Sequence, residues 1–220
     1  MVKNIGILGG SFDPIHVGHL NMAKEALKYL SLDKIYLDPN KCPYYKDNAK
    51  VSDNDRINMI KLSINHETNI EISELEINNE NYLSTYEVLK ILNVKYPDTI
   101  FTFIMGMDSF LNLHKWRHAE EIINLANLAV LMRPGFILNL EELPPLQQKL
   151  YQEAIILEKE SLIKNFKDTK KHKLYLIKGI EVNISSSFIR ENLKTQNYDK
   201  LTNFLTQETL NYIKEHNLYT

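Results

Sequence analysis

The sequence predicts an α/β protein with a doubly wound parallel sheet and a small helical extension at its C-terminus. Short apolar runs alternate with amphipathic segments along the chain, and most of the apolar runs end at a glycine or a proline. Strands that are separated by helices pair in parallel through right-handed crossovers, which places helices on both faces. The 220 residues, of which 44% are hydrophobic, suffice for a single domain. We expect its core at about 1–184 and the helical part at about 185–220.

In the first half of the chain, apolar periodicity and end signals define the elements. Val17, Leu20 and Ala23 begin a series at helical spacing that runs to residue 30, and Pro97 ends a later helix. In chain order we expect a strand at 2–8, a helix at 17–30, a strand at 34–37, a loop at 41–50, a helix capped by Ser52 or Asp53, an edge strand at 70–77, a helix at 84–96 and a strand at 99–105.

The second half continues the same alternation. We expect a helix at 119–125, a strand at 128–132, a turn at 133–135, a long amphipathic helix at 144–166, a strand at 173–177 and two closing helices at 185–193 and 206–215. In open parallel sheets ligands bind outside the carboxyl ends of the strands. The segments that follow the predicted strands are therefore the candidates for a functional site.

Composition excludes several classes of protein. The formal charge of −2 and the pI near 6.4 give no overall attraction to nucleic acid or anionic membranes. No apolar run approaches the roughly 18 residues of a membrane span, and the N-terminus lacks the core of a signal peptide. Cys42 is the only cysteine, which excludes an intrachain disulfide and a multi-thiolate zinc site. We expect a cytoplasmic protein that binds neither nucleic acid nor membrane.

Residues 9–19 join the first strand to the first helix and are suited to phosphate. Gly9 and Gly10 let backbone N–H groups approach a ligand without obstruction by Cβ atoms, and the helix N-terminus adds further donors. His16 and His19 fall on one face of the first turn, with Gly18 keeping the helix surface low between them. One alternative is that the two glycines only form a tight turn. Another is that the two histidines are metal ligands, but no third ligand is evident at nearby spacing. The segment is not a P-loop, because the Gly-Lys-Ser/Thr ending is missing, and it is not a dinucleotide fingerprint, because its glycine spacing differs.

Residues 184–190 form a second segment of the same kind. Ser185, Ser186 and Ser187 stand at a predicted helix start, where hydroxyls cap the helix and can contact phosphate. Arg190 lies about one and a half turns later and can bring a planar cation over the same ligand. A serine-capped helix with a solvated arginine is the alternative for this segment taken alone.

Together these segments carry a resemblance to a known family. Residues 10–19 resemble the first signature of the nucleotidyltransferases that share an H-x-G-H motif, and residues 184–190 resemble their second, Ile-Ser-Ser-Thr/Ser-x-x-Arg. The chain is most similar to the bacterial-type nicotinate-nucleotide adenylyltransferases, over roughly residues 4–218. Further similar segments lie at 38–46, at 82–85, at 104–110 with Trp116, and at 132–135. Tyr44 and Tyr45 replace the usual Pro-His of the first of these, and Ser187 replaces threonine.

The resemblance implies a Rossmann-like nucleotidyltransferase fold and a set of site residues. It implies three catalytic residues, His16, His19 and Arg190. The implied ATP-binding residues are Gly9, Gly10, Ser11, Phe12, His16, Gly18, His19, Gly106, Asp108, Arg133, Ile184, Ser186, Ser187 and Arg190. The implied substrate-binding residues are Lys46, Tyr82, Ser84, Thr85, Asp108 and Trp116. It implies no metal held by the protein and Mg²⁺ bound through the ATP phosphates.

Four of these residues could equally have an ordinary structural or surface role. Asp108 can accept hydrogen bonds from ribose hydroxyls or cap a helix, and Trp116 offers a flat face to a pyridine ring or fills a core. Lys46 suits a phosphate but is equally a solvated cation, and Arg133 can approach adenosine or simply end a strand.

The implied reaction joins the AMP part of ATP to nicotinate mononucleotide, which gives nicotinate adenine dinucleotide and pyrophosphate. The alternatives within the superfamily are nicotinamide mononucleotide and phosphopantetheine as acceptors. A non-catalytic nucleotide sensor is the alternative from another class, and a dinucleotide-dependent oxidoreductase lacks its fingerprint. A homo-oligomer is compatible with the sequence.

Overall fold

A seven-stranded parallel sheet forms the centre of the protein in a computed structural model, which describes residues 3–41, 50–132, 138–158, 172–178 and 184–220. The strands are β1 (Lys3–Gly10), β2 (Lys34–Pro39), β3 (Ile70–Ile72), β4 (Thr99–Gly106), β5 (Asn127–Met132), β6 (Ile155–Leu157) and β7 (Leu174–Lys178). Their order across the sheet is β3-β2-β1-β4-β5-β7-β6, and every pair is parallel. The predicted fold class is confirmed.

Helices cover both faces of the sheet. They are α1 (Val17–Tyr29), α2 (Asp53–Ser63), α3 (Thr85–Lys95), α4 (Met107–Leu111), α5 (Ala119–Ile122), α6 (Pro145–Gln152), α7 (Ser186–Lys194) and α8 (Gln207–Glu215), with short 3₁₀ turns at Leu113–Lys115, Leu140–Glu142 and Tyr198–Leu201. One apolar cluster packs α1, α2, α7 and α8 on the first face, and another packs α3, α4 and α5 on the second. This two-sided packing explains why the central strands are mostly apolar.

Side-chain caps set the starts of four helices. The side chains of Ser52, Ser84, Ser185 and Thr206 accept hydrogen bonds from the backbone N–H three residues later, at the starts of α2, α3, α7 and α8. Ser52, and not Asp53, is therefore the cap of α2. The cap of α7 matters most for the site because it orients the second serine-rich segment.

The strand order reverses between β1 and β4. From β1 the chain moves outward to β2 and β3, then returns to pair β4 with the other edge of β1. The connections on either side of such a switch point leave in opposite directions, which opens a crevice at the carboxyl ends of the strands. Gly9, Gly10 and Gly106 end the two strands at this crevice.

Three predicted elements need correction. The helix predicted at 144–166 is wrong, because α6 ends at Gln152 and residues 155–157 form an edge strand beside β7. A short run of isoleucine and leucine fits a strand as well as a helix, and only pairing with β7 decides between them. The strand predicted at 70–77 ends at Ile72, and α5 stops at Ile122 instead of residue 125.

Other predictions lie outside the described residues or stay predictions. The loop predicted at 41–50 falls mostly, and the turn at 133–135 wholly, outside the described residues, as does the end of the segment at 144–166. The division of the chain near residue 184 stays a prediction.

Candidate active site

The loop after β1 is shaped by Phe12, which lies inside the protein. Its side chain is fully buried and its backbone adopts a left-handed conformation with φ of 46°. A Cβ atom on Gly10 would lie 3.3 Å from the Phe12 ring, which is closer than an ordinary van der Waals contact. The Phe12 ring meets the His19 ring edge-on, with centroids 4.9 Å apart. An apolar side chain therefore positions one of the two predicted catalytic histidines.

His16 and His19 form a stacked pair at the start of α1. Their ring centroids lie 3.7 Å apart with an interplanar angle of 21°. The backbone N–H of His16 donates to Nδ1 of His19 at 3.3 Å, which places the proton of a neutral His19 on Nε2. Burial holds the pKa of His19 well below its usual range, and the nearby His16 lowers it further. His19 is thus a neutral hydrogen-bond donor near neutral pH.

The second signature segment, residues 184–190, lies directly on the loop that follows β1. Ser186 Oγ donates to the carbonyl oxygen of Pro14 at 3.0 Å, and Arg190 donates to the carbonyl oxygen of Asp13 at 2.6 Å. A Cβ atom on Gly18 would lie 2.8 Å from Ile184 and 2.9 Å from the His16 ring. The absence of a side chain at Gly18 is what allows α1 and the start of α7 to approach so closely.

Two adjoining cavities open at the carboxyl ends of the strands. The smaller, of about 230 Å³, is lined by His16, Gly18, His19, Asp108, Ile184 and Ser186, among others. The larger, of about 790 Å³, is lined by Gly9, Gly10, Ser11, Tyr82, Thr85 and Trp116, among others. His19, Met22 and Gly106 line both cavities. The geometry therefore offers two neighbouring subsites with a histidine at their junction.

The larger cavity has aromatic and helix-terminal walls. Trp116 meets Phe103 edge-on with centroids 5.9 Å apart, which leaves the indole as one wall. Ser84 caps α3 in a reciprocal pair with Glu87, and Thr85 is the first residue of that helix. Backbone N–H groups at such a helix start favour a negatively charged ligand. The helix start and the indole together suit an anionic aromatic group.

Arg190 is held against the protein and does not line either cavity. Besides Asp13, its guanidinium donates to Ser187 Oγ at 3.0 Å. It lines a third cavity of about 380 Å³ together with Lys50, Lys194 and Tyr219, among others. Of the predicted catalytic residues, the structure therefore brings His19 to the junction and His16 to the smaller cavity, and keeps Arg190 behind the loop.

Arg56 was missed by the sequence reasoning. Its side chain is buried and donates to the carbonyl oxygens of Ser11 and Asn40, each at 2.7 Å, while it pairs with Asp53. The guanidinium thereby joins the loops after β1 and β2. An arginine inside a helix gives no local signal for this role.

Asp38 and Glu76 were also missed and lie buried together at the larger cavity. Asp38 accepts hydrogen bonds from the Ser73 side chain and the Glu76 backbone, and Glu76 accepts from Asn40 and from the backbone of Lys41. Burial raises the pKa of Asp38 to about 6. Burial and then the charge of Asp38 raise the pKa of Glu76 to about 7. At neutral pH the two carboxyl groups are therefore partly protonated.

Lys46 and Arg133 lie outside the described residues, together with Cys42, Tyr44 and Tyr45. Within the described ranges, no group of three or more His, Cys, Asp or Glu side chains is arranged to hold a metal ion. Nor does any helix in these ranges have the length and apolarity to cross a bilayer.

The chain is similar in sequence and in fold to known proteins. Residues 7–192 match the model of the cytidylyltransferase-like family. The probable nicotinate-nucleotide adenylyltransferase of Shewanella frigidimarina is 37% identical over 98% of this chain and 99% of its own length. The protein of the same name from Clostridium tetani is 32% identical over 99% of this chain and 100% of its own. A structure of the Plasmodium falciparum nicotinic acid mononucleotide adenylyltransferase complexed with NaAD superposes with a TM-score of 0.74, at 24% identity, covering 99% of this chain and 97% of that one.

Proposed function

The chain belongs to the cytidylyltransferase-like family and, within it, to the nicotinate-nucleotide adenylyltransferases, and from this premise we propose that it transfers the adenylyl group of ATP to nicotinate mononucleotide. The products are nicotinate adenine dinucleotide and pyrophosphate. The observation that carries the proposal is the junction of the two cavities at His19 and Gly106. A transfer between two nucleotides requires two subsites that meet at the reacting phosphorus atom.

In the proposed reaction, an oxygen of the mononucleotide phosphate attacks the α-phosphorus of ATP. A new phosphorus–oxygen bond forms, the bond from the α-phosphorus to the bridging oxygen breaks, and pyrophosphate leaves with that electron pair. The attacking oxygen is already ionised near neutral pH, since the second pKa of a phosphate monoester is about 6. The chemistry therefore needs no strong base, and alignment and charge stabilisation supply the acceleration.

The smaller cavity is the proposed site of the ATP phosphates. The neutral His19 donates from Nε2 to an oxygen whose negative charge grows in the transition state, and His16 supports its ring by stacking. The start of α7, where Ser186 lines the same cavity and its hydroxyl donates to Pro14, offers further backbone donors. Asp108, at the start of α4, is the proposed acceptor for ribose hydroxyls.

The larger cavity is the proposed site of the mononucleotide. The Trp116 indole supplies a flat wall for the pyridine ring, and the start of α3 at Ser84 and Thr85 faces the carboxylate. Tyr82 lines the same cavity and is half exposed. Lys46 and Arg133 stay predictions for phosphate and adenosine contacts.

Mg²⁺ enters this proposal as part of the substrate. The described residues hold no cluster of metal ligands, and phosphate oxygens with water can complete the octahedral shell of Mg²⁺ without one. We propose that the ion arrives on the ATP phosphates. A homo-oligomeric state and a cytoplasmic location remain predictions from the sequence.

A substrate panel tests the function. The full chain is incubated with ATP and Mg²⁺, together with nicotinate mononucleotide, nicotinamide mononucleotide or phosphopantetheine, and pyrophosphate release and the adenylylated product are measured. We expect the highest kcat/KM with nicotinate mononucleotide. A higher value with either other acceptor assigns that substrate instead. ATP binding without pyrophosphate release from any acceptor points to a nucleotide sensor and contradicts the proposal.

A further inference from the structure

The C-terminal tail reaches into the first signature segment. The hydroxyl of Tyr219 donates to Oδ1 of Asp13 at 2.7 Å, across 206 residues of sequence. Asp13 is 1% exposed and Tyr219 is 8% exposed. A hydrogen bond to an ionised group inside the protein is among the stronger ones, because water does not compete for either partner.

The tail is held in a defined conformation to make this contact. Tyr219 has a left-handed backbone with φ of 64°, which is unfavourable for a residue with a side chain, and its ring packs in the cluster that contains α1 and α8. A second contact runs in parallel, since the carbonyl oxygen of Phe204 accepts from the backbone N–H of Val17 at 2.8 Å. The C-terminal part therefore makes hydrogen bonds to the first signature segment at two points, Asp13 and Val17.

Asp13 is the link between the tail and the second signature segment. Its Oδ2 accepts from the backbone N–H of Lys50 at 2.8 Å, so both carboxylate oxygens are engaged. Its own carbonyl oxygen accepts from Arg190, and the carbonyl oxygen of the following Pro14 accepts from Ser186. A shift of the Asp13 side chain would move the two carbonyl groups that orient Arg190 and Ser186.

We propose that Tyr219 is a positioning residue for adenylyl transfer, whose hydroxyl fixes Asp13 and through it the carbonyl group of Pro14, which orients Ser186 at the smaller cavity. The inference rests on the proposed function and extends it to the end of the chain. The hydroxyl stays protonated at physiological pH, because burial and the adjacent Asp13 carboxylate both raise the pKa of Tyr219. It is therefore a permanent donor to that carboxylate.

A pair of matched variants tests the proposal. Y219F removes the hydroxyl and keeps the buried ring. Y212F removes another tyrosine hydroxyl of the C-terminal part, which donates to Asp55 Oδ1 at 2.9 Å and accepts from Asn58 at 3.0 Å, both in α2. We expect Y219F to lower kcat about tenfold or more, since a small displacement of reacting groups is costly, and to leave the KM for nicotinate mononucleotide within about twofold. Y212F should keep kcat within about twofold of the wild type. Equal kcat values in the two variants would overturn the proposal.

A double-mutant cycle separates positioning from a general effect on the fold. If Tyr219 acts through Ser186, then adding Y219F to S186A should change kcat by less than about twofold, although it changes kcat about tenfold in the wild type. Independent, multiplicative effects would show that Tyr219 does not act through Ser186 and would overturn the proposal. Circular dichroism is recorded for each variant, and a Y219F chain that does not fold would assign the tail to stability alone.

Failure of the proposed function would be visible separately. The wild type is first assayed for pyrophosphate release with nicotinate mononucleotide. If it is inactive, the substrate assignment is contradicted, but the positioning role of Tyr219 is not. In that case the affinity for a non-hydrolysable ATP analogue, measured by calorimetry, replaces kcat in the same cycle. We then expect weaker binding by Y219F than by Y212F, and equal affinities would overturn the positioning role.

Discussion

The rings of His16 and His19 are stacked 3.7 Å apart, and the backbone of His16 donates to Nδ1 of His19. This relationship orients Nε2 of His19 as a donor at the junction of the two cavities. It also keeps the His19 ring neutral, because burial and the neighbouring imidazole both lower its pKa. The proposed catalytic role of His19 is therefore one of directed hydrogen bonding and not of proton storage.

The H19A variant tests this role. We expect kcat to fall about 100-fold or more while the KM for nicotinate mononucleotide changes little, because the lost contact strengthens in the transition state. Steady-state kinetics with each substrate varied in turn measures both constants. The exposed His66, replaced in H66A, serves as the control. An unchanged kcat in H19A would remove the catalytic assignment.

Gly18 is predicted to be intolerant of even one methyl group. In G18A the new Cβ would lie 2.8 Å from Ile184 and 2.9 Å from His16, so one signature segment must shift. We expect a loss of about 1–3 kcal/mol in the free energy of unfolding and a lower kcat. Urea denaturation measures the first quantity.

G106A is the matched control for stability, because the nearest atom to its Cβ is the Met22 methyl group at 4.0 Å. We expect a change in the free energy of unfolding within about 0.5 kcal/mol there. Equal stability losses in G18A and G106A would contradict the packing argument.

Asp38 and Glu76 should make stability fall as the pH rises. Their pKa values, about 6 and about 7 in the folded chain, lie above those of the unfolded chain, so the folded state binds more protons between about pH 4 and pH 7. The free energy of unfolding contributed by this pair therefore decreases across that window and is level above it.

The D38N variant should remove the loss of stability that comes from ionising Asp38. We expect D38N to be more stable than the wild type by up to about 3 kcal/mol at pH 8, for a two-unit pKa shift, and by about half as much at pH 5, where the folded Asp38 is still mostly protonated. Urea denaturation at the two pH values measures the difference, with the exposed Glu191 replaced in E191Q as the control. A loss of stability in D38N that is the same at both pH values would refute the expectation.

Trp116 should affect one substrate and not the other. W116A removes the indole wall of the larger cavity, and we expect the KM for nicotinate mononucleotide to rise about tenfold, since stacking on an aromatic ring contributes about 1–3 kcal/mol. W116F should restore part of the loss. The KM for ATP is the internal reference and should stay within about twofold. An equal rise in both KM values would place the indole outside the mononucleotide subsite.

Local signals in the sequence sufficed for most of the fold. The glycine pairs, prolines and serine caps mark element ends through contacts within a few residues, so the strands ending at Gly10 and Gly106 and the helices beginning after Ser84 and Ser185 were predictable. The segment at 144–166 was not, because a short apolar run becomes the edge strand Ile155–Leu157 only when β7 is beside it.

The candidate site likewise contains residues that the sequence could predict and residues that it could not. The two signature segments could be found because each is contiguous, and the structure brings Ser186 and Arg190 onto the loop that contains His16. Arg56, Asp38 and Glu76 could not be found, since their roles depend on burial and on partners that stand far away in sequence.

By itself, the sequence determined the alternation of strands and helices and the chemistry of the two signature segments, because both depend on residues a few positions apart. The tertiary structure alone decided that Arg190 lies behind the loop, that Asp38 and Glu76 meet, and that Tyr219 reaches Asp13. The physical reason is that burial and charge pairing depend on which distant segments the folded chain places together, and no local pattern records that distance.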